Sequence, residues 1–233
     1  NDWNFGQKSY AHTPPTGFKA VQQDNYPDQG VKPDLVWIKN RDATDSHQWY
    51  DSTRGPLLDM STDTTDQEGT TTDGLQKFLQ GGCAIEDDVS INTVAESYVA
   101  WNWVANGGTT SANTDGSGAT LASTIQANQT AGFSIVQVTA PGSPSGTYKI
   151  AHGLGATPHW IIGKNLENSG GYNWSVYHKY MSSSAQNEFM EFNTSDAYAD
   201  NDTVWGDTAP TSSVFTVGTG VPLLANEKTI FYC

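Results

Sequence analysis

The residues that could carry hydrolytic chemistry begin with a pair of carboxylates. A glycoside hydrolase places two carboxylates about 5 to 9 Å apart across a cleft. Glu188 and Glu191 are three positions apart in a strand-like segment, and side chains at that spacing point to opposite faces of a strand. We therefore expect surface charge at both positions rather than a catalytic pair.

Histidine offers a second route to catalysis or to metal binding. The five histidines of the chain are His12, His47, His152, His159 and His178. None has a Cys or Asp partner at metal-ligand spacing, and no Gly-X-Ser-X-Gly motif is present. A Ser-His-Asp arrangement built from distant positions stays open. The sequence predicts structural or exposed histidines, no catalytic residues, no metal site and no enzymatic activity.

Acidic loops are the candidates for a cation. One loop carries Asp59, Asp63, Asp66 and Glu68, and a second carries three consecutive acids at 86–88. Calcium takes six to eight oxygen ligands, and neither loop has the alternating carboxylates of an EF-hand. We expect solvated loop charge and no cofactor, with calcium as the alternative.

Aromatic side chains that follow polar loops could stack on a sugar ring. Trp49, Trp174 and Tyr177 occupy such positions and are the candidate glycan-binding residues. The competing interpretation is core packing, because most aromatic residues here alternate with other residues in strand-like segments.

These candidates lie in a sequence pattern that occurs twice. Residues 35–38 (Leu-Val-Trp-Ile) predict a short buried strand. Four residues recur 125 positions later, namely Pro33, Lys39, Asn40 and Trp49 as Pro158, Lys164, Asn165 and Trp174. Residues 17–22 match 132–137, and the closing strand 98–103 matches 229–233. The chain is therefore predicted to contain two copies of one β domain.

Composition supports the same fold class. A chain of 233 residues can form two domains of about 100 residues each. Only 36% of the residues are hydrophobic, but eight Trp, ten Tyr and eight Phe bury large areas. Apolar runs with helical period are almost missing. We predict an all-β chain of two tandem antiparallel β-sandwiches.

The predicted boundaries follow from composition along the chain. Residues 1–16 form an N-terminal arm or the end of a preceding domain, 17–105 the first sandwich, 106–130 a Gly/Ser/Thr-rich linker, and 131–233 the second sandwich. Trp3, Phe5 and Tyr10 of the arm have no local apolar partner, so we expect them to pack on a neighbouring domain or subunit.

Charge excludes several partner classes. The net charge of −14 argues against nucleic acid, which needs clustered Lys and Arg, and against an anionic membrane surface. No apolar run is long enough to span a bilayer, so we expect no membrane insertion. Cys83 and Cys233 lack zinc-site spacing and are predicted to be free, mostly buried thiols.

Several strings resemble tandem repeats of tail-fibre and other virion structural proteins of marine bacteriophages. They are residues 31–41, 98–101, 130–133, 152–155 and 174–178. In addition, residues 4–7 and 14–19 resemble the end of an SPRY-like domain. The resemblance implies concanavalin-A-like jelly rolls, a location on the phage particle surface, and other virion subunits as partners in a homotrimer. It brings no catalytic residues.

Two functional classes follow. The first is a non-catalytic structural or interaction module of a virion appendage, such as a tail fibre or capsid fibre. The alternative is a carbohydrate-binding module that recognises a host surface glycan.

One repeated pair of charges also suggests a structural contact. Lys39 with Glu96 in the first copy corresponds to Lys164 with Glu227 in the second. A charge beside an apolar strand is costly unless it is exposed or paired. We predict that Lys and Glu pair in each copy and fix the register of two strands; the alternative is two exposed charges.

Overall fold

The computed structural model describes residues 19–20, 32–105, 111–113, 118–220 and 222–233. The predicted arm 1–16, with Trp3, Phe5 and Tyr10, lies outside these residues, as does most of 106–118. The first compact unit comprises the described residues within Asn1–Asp63 and Glu68–Gly108; the second comprises those within Thr64–Gln67 and Thr109–Cys233. The predicted all-β, antiparallel fold is confirmed, and the sheets are arranged as in a sandwich.

The described part of the first unit consists of short strands and one turn of helix. The strands are β1 (Lys19–Ala20), β2 (Leu35–Asn40), β3 (Gln48–Asp51), β4 (Leu58–Ser61), β5 (Gly69–Thr70), β6 (Leu75–Leu79), β7 (Gly82–Ile85) and β8 (Tyr98–Trp103). They form a five-stranded sheet in the order β5-β4-β3-β2-β8 and a three-stranded sheet in the order β1-β7-β6. The helix α1 (Val89–Asn92) begins where the Asp88 side chain accepts a hydrogen bond from Ser90 N–H.

The core of the first unit lies between its two sheets. The buried apolar residues that contact one another there are Val36, Ile38, Tyr50, Leu75, Cys83, Ile85, Ile91, Tyr98 and Ala100. Each large aliphatic side chain in this set contributes about 1.5–3 kcal/mol by leaving water. Cys83 is a free buried thiol and Cys233 is free and half-buried, as predicted.

The second unit has one long sheet and a two-stranded partner. The strands are β9 (Ser111–Asn113), β10 (Ser123–Asn128), β11 (Phe133–Thr139), β12 (Tyr148–Ala151), β13 (Trp160–Asn165), β14 (Ser175–His178), β15 (Glu188–Glu191), β16 (Ala199–Asp200), β17 (Val214–Val217) and β18 (Lys228–Tyr232). The long sheet has the order β16-β15-β14-β13-β18-β11-β10-β9, and β12 pairs with β17. A 3₁₀ turn covers Ala185–Asn187, and α2 (Asp202–Trp205) ends at Gly206, whose φ of 58° suits glycine.

The core of the second unit packs one face of the long sheet against β12, β17 and α2. The fully or almost fully buried residues of this cluster include Val136, Ile150, Ile161, Phe215, Val217, Leu223 and Phe231. The rings of Phe215 and Phe231 meet edge to face, with centroids 4.9 Å apart. The face of β13 that carries Ile161 is therefore the inner face of the sheet.

The same five-stranded arrangement occurs in both units. The order β5-β4-β3-β2-β8 corresponds to β16-β15-β14-β13-β18. The registers also agree, because Val36 lies opposite Tyr50 and Ile161 opposite Tyr177. Insertions between the copies fall in loops, where added length costs little.

The predicted match between Trp49 and Trp174 is wrong by two positions. Trp49 lies opposite Trp37, and the residue at that place in the second unit is Val176, opposite Ile162. The loop before β14 is two residues longer than the loop before β3, so Trp174 falls just before its strand.

The start of the second repeat also differs from the prediction. Residues 123–128, assigned to the 106–130 linker, form β10 and pair along their full length with β11. Ile125 and Ala127 are the only apolar residues in β10, so its signal in the sequence is weak. The match of 17–22 with 132–137 does not hold over the described residues, because Lys19–Ala20 pairs with β7 whereas Ile135 pairs with Tyr232 of β18.

Candidate functional site

A groove on the second unit begins at the exposed ring of Trp160. Side chains alternate along a strand, and Ile161 belongs to the core, so Trp160 lies on the opposite, outer face of β13. Its side chain is 48% exposed. His178 of β14 lies directly opposite it in the antiparallel register and is half-buried.

Apolar residues of β14 and β15 form the floor of this groove. Val176 pairs with Met190 across the two strands. The ring of Phe192 lies edge to face with Trp160, at a centroid distance of 6.5 Å and an interplanar angle of 68°. The cavity has a volume of about 490 Å³ and is called the Trp160 groove below.

Two hydrogen bonds fix the segment that carries the polar side of the groove. Phe192 N–H donates to Trp174 O at 2.9 Å, and Trp174 N–H donates to Asn193 Oδ1 at 2.9 Å. Asp63 Oδ1 accepts from His47 N–H at 2.9 Å at the corresponding place in the first unit. The start of the loop after β15 is therefore held by its own side chain and backbone.

The polar groups of the groove are the His178 imidazole, carboxylates and hydroxyls. Glu191 is half-buried and Asp196 is exposed, and both line the groove together with Thr194 and Ser195. Thr194 Oγ1 accepts from Asp196 N–H at 3.3 Å. Within the described part of the chain, neither carboxylate takes part in a hydrogen bond or an ion pair. Glu191 lies opposite Ser175 and on the same face of β15 as the core-facing Phe189, so the carboxylate available to a ligand in the groove is that of Asp196.

The three predicted glycan-binding residues are buried, and that prediction is wrong. Trp49, Trp174 and Tyr177 are 3%, 0% and 4% exposed. The Trp49 ring is stacked with the Trp103 ring at a centroid distance of 6.4 Å. The Tyr177 ring meets the Trp205 ring edge to face at a centroid distance of 6.2 Å. A ring enclosed by other side chains has no free face for a sugar.

Trp174 nevertheless lies behind the groove. Its ring is 6.5 Å from that of Phe192, which in turn contacts Trp160. The sequence contained one signal for Trp160 itself, since it precedes the core residue Ile161 and must face the other way. That signal becomes readable only once the inner face of the strand is known.

The acidic loops proposed for calcium bind the protein's own donors. Asp59 Oδ1 accepts from Thr71 Oγ1 at 2.7 Å, and Glu68 pairs with Arg54 at 3.1 Å. Asp88 caps α1. Over the ranges that the structure describes, no group of three or more His, Cys, Asp or Glu is arranged to hold a metal ion.

The buried histidine and thiols have the environments of structural groups. His152 Nδ1 accepts from Leu154 N–H at 3.2 Å, its Nε2 lies 3.2 Å from Thr211 O, and burial lowers its pKa. Burial raises the pKa of both Cys83 and Cys233 to about 12, so neither is a ready nucleophile.

Among the described residues, the helices are too short to cross a bilayer. No curated protein and no solved structure matches the chain. One family model does match, over residues 15–233. The chain therefore belongs to the family described as a domain of unknown function, DUF7483.

Proposed function

We propose that the chain is a non-catalytic binding module that holds a carbohydrate in the Trp160 groove. The observation that carries this proposal is the exposed indole of Trp160 above a groove that the Asp196 carboxylate and the Thr194 and Ser195 hydroxyls also line. Sugars bind proteins through an apolar C–H face and a rim of hydroxyls, and the groove offers a partner for each.

The aromatic side of the groove is pre-organised. Phe192 contacts the ring of Trp160, and Trp174 supports Phe192 from behind. A ring already held in place loses little conformational freedom when a ligand arrives, which favours binding. A cavity of about 490 Å³ is within the usual range for small-ligand sites.

The polar side of the groove can satisfy sugar hydroxyls. The Asp196 carboxylate accepts hydrogen bonds, and the Thr194 and Ser195 hydroxyls can donate as well as accept. Hydrogen bonds to charged groups contribute more than those between neutral groups. The groove thus combines a stacking surface with orienting acceptors.

A second candidate is a structural or interaction module of a bacteriophage virion appendage. The resemblance to marine phage tail-fibre repeats supports this setting, and with it a homotrimer on the particle surface. The repeated five-stranded sheet is the structural observation that favours it, because fibre proteins commonly stack similar domains. In such a fibre the glycan would belong to the host surface.

The experiment is a glycan array followed by titration calorimetry with the whole chain. Trp160→Ala should abolish binding of the sugars that the array identifies. The matched control is Tyr180→Ala, which removes another exposed aromatic residue of the second unit outside the groove lining. Equal binding by both variants and the unaltered chain would reject the groove as the site.

A further inference from the structure

One edge of the five-stranded sheet in the first unit is β8, and among the described residues no strand pairs with its outer side. The corresponding strand of the second unit, β18, pairs on one side with β13 and on the other with β11. The geometry of this sheet therefore allows a further strand beyond the closing one, and the described part of the first unit leaves that place open.

The hydrogen-bond pattern shows which groups lie on the outer edge of β8. Arg41 N–H donates to Ser97 O at 2.8 Å, and hydrogen-bonded pairs recur at every second residue of an antiparallel ladder. Trp101 therefore bonds to β2 through its backbone, whereas the N–H and C=O groups of Ala100 and Asn102 point to the outer edge. Within the described ranges, these four groups have no hydrogen-bond partner.

The sequence of β8 lacks the features that keep edge strands from pairing. Its six residues, Tyr-Val-Ala-Trp-Asn-Trp, carry no charge and no proline, and its pairing with β2 keeps one register over all six. Other edge strands are protected, since β5 and β16 are two residues long and β6 contains a bulge beside Lys77. The edge of β8 can therefore accept a strand from another molecule.

We propose that β8 is a dimer interface, in which the β8 strands of two copies of this chain pair antiparallel about a two-fold axis at Trp101. In that register Ala100 lies opposite Asn102 of the second copy, and the N–H of each donates to the C=O of the other. The four outward groups of one copy are satisfied by the four of the other. The interface is independent of the carbohydrate site in the Trp160 groove.

Trp101 suits the centre of this interface. Its side chain lies on the outer face beside Trp37, at a centroid distance of 4.8 Å, and is 41% exposed. Side chains directly opposite each other in a non-hydrogen-bonded antiparallel pair are in contact, and aromatic pairs at such positions stabilise a sheet. The two indoles therefore cover each other in the dimer.

The chemistry of the edge identifies its occupant as a second copy. Because β8 is uncharged, self-pairing places no like charges opposite each other on the two strands. The order of donors and acceptors is the same in both directions about Trp101, which a two-fold contact requires. The net charge of −14 on each copy opposes association at longer range, so salt should strengthen the dimer.

The experiment is sedimentation equilibrium of the whole chain over a concentration series at low and at moderate salt. The unaltered chain should reach twice the mass of one chain, with the lower dissociation constant at moderate salt. Asn102→Pro should raise the dissociation constant at least about tenfold, because it removes one outward N–H from each copy and leaves the bonds to β2 in place. The matched control is Asn102→Ala, which removes the same side chain, keeps the N–H and should dimerise like the unaltered chain.

A second variant tests the register of the two strands. Trp101→Cys places two thiols opposite each other at the two-fold axis, where the Cα atoms of a non-hydrogen-bonded pair are about 4.5 Å apart and a disulfide can form. Oxidation should give a covalent dimer. The control Tyr180→Cys, at an exposed position of the second unit, should remain a single chain.

Three results would overturn the inference. The first is a single chain at every concentration, and the second is a trimer, which would favour the fibre arrangement instead. The third is a dimer whose dissociation constant Asn102→Pro leaves unchanged and which Trp101→Cys does not cross-link. If urea denaturation shows that Asn102→Pro unfolds the first unit, the Trp101→Cys cross-link alone decides.

Discussion

Asn165 Nδ2 donates a hydrogen bond to Glu227 Oε2 at 2.9 Å, and Asn40 makes the same bond to Glu96 in the first unit at 2.5 Å. The Oδ1 atom of each Asn also accepts the N–H groups two and three residues on, as in Glu167 N–H to Asn165 Oδ1 at 3.1 Å. Each asparagine is the last residue of its strand and connects that strand by a hydrogen bond to the glutamate that precedes the closing strand.

The predicted Lys–Glu pairs are therefore wrong. Lys39 Nζ donates to Asn40 O and Ala43 O at 2.7 and 3.0 Å rather than to Glu96. Adjacent residues of a strand point to opposite faces, so the residue that can reach the glutamate is the asparagine beside the lysine. The repeated sequence pattern identifies the glutamate correctly, but its partner is the asparagine one position after the predicted lysine.

Asn165→Asp should destabilise the chain. The change removes a donor from Glu227 and places a second carboxylate beside it. We expect a loss of about 1–3 kcal/mol in the free energy of unfolding, measured by urea denaturation near pH 7.

Asn40→Asp should have a similar effect through Glu96. The matched control is Lys39→Met, which removes the neighbouring side chain on the other face. Lys39→Met should lower the free energy of unfolding less than Asn40→Asp does. A larger decrease for Lys39→Met would support the Lys–Glu pairing instead.

Arg54 and Asp51 form a buried ion pair, and breaking it should lower the free energy of unfolding much more than breaking an exposed pair. Both side chains are fully buried, and Arg54 also contacts Glu68 and the carbonyl oxygen of Trp49. Arg54→Met leaves Asp51 without its counter-charge and should cost about 3–5 kcal/mol of unfolding free energy.

The comparison is Lys228→Met, which breaks a 3.0 Å pair with Glu167 whose side chains are 52% and 40% exposed. Exposed pairs contribute under about 1 kcal/mol. Equal losses for Arg54→Met and Lys228→Met in the same denaturation experiment would contradict this reading of the buried pair.

The strands could be predicted from sequence because their signal is local. Leu35 to Ile38 and Ile161 to Ile162 are apolar runs next to turn residues, and the repetition of the pattern located them twice. The closing strands β8 and β18 are predictable for the same reason. By contrast, β10 has few apolar residues and is stabilised by its neighbours in the sheet, which no local pattern records.

The candidate site could not be predicted in the same way. Trp160 and Trp174 are both tryptophans beside polar loops, yet one is exposed and the other fully buried. Neither belongs to the core that packs on β12 and β17. Trp174 is buried because Phe192 and Lys164 lie against its ring, and those contacts come from other strands of the sheet. The groove also joins β13 to the loop after β15, and that proximity arises only from the strand order.

Lys164 should make stability rise with alkaline pH. Its side chain is almost fully buried and donates to Thr65 O at 2.9 Å and to Tyr172 O at 2.5 Å. Burial lowers its pKa from 10.5 to about 8, although Asp66 acts in the opposite direction. Between these values the unfolded chain binds the proton more strongly than the folded chain, so stability increases as pH rises.

The measurement is the unfolding free energy of the chain and of Lys164→Met at pH 7, 8, 9 and 10. The difference between the two proteins should change in favour of the unaltered chain by up to about 3 kcal/mol across this range. Thiols and tyrosines titrate in both proteins, so the comparison isolates Lys164. A constant difference would mean that Lys164 keeps an ordinary pKa.

His152 should make stability fall in mild acid. Burial lowers its pKa below the ordinary value of 6.5, although the contact with Thr211 O opposes this. As pH falls through 6.5, the unfolded chain takes up the proton first and is favoured. The contribution of neutral His152 is therefore present above pH 6.5 and is lost progressively toward the lower pKa of the folded chain.

The test is urea denaturation at pH 5, 6 and 7 with His152→Asn as the matched variant. The Asn side-chain oxygen can still accept from Leu154 N–H, as His152 Nδ1 does at 3.2 Å, but it does not titrate. The unaltered chain should lose more stability than His152→Asn between pH 7 and pH 5. Burial also lowers the pKa of His47, and this group is common to both proteins. Parallel pH profiles for the two proteins would show that His152 accepts a proton as readily when folded as when unfolded.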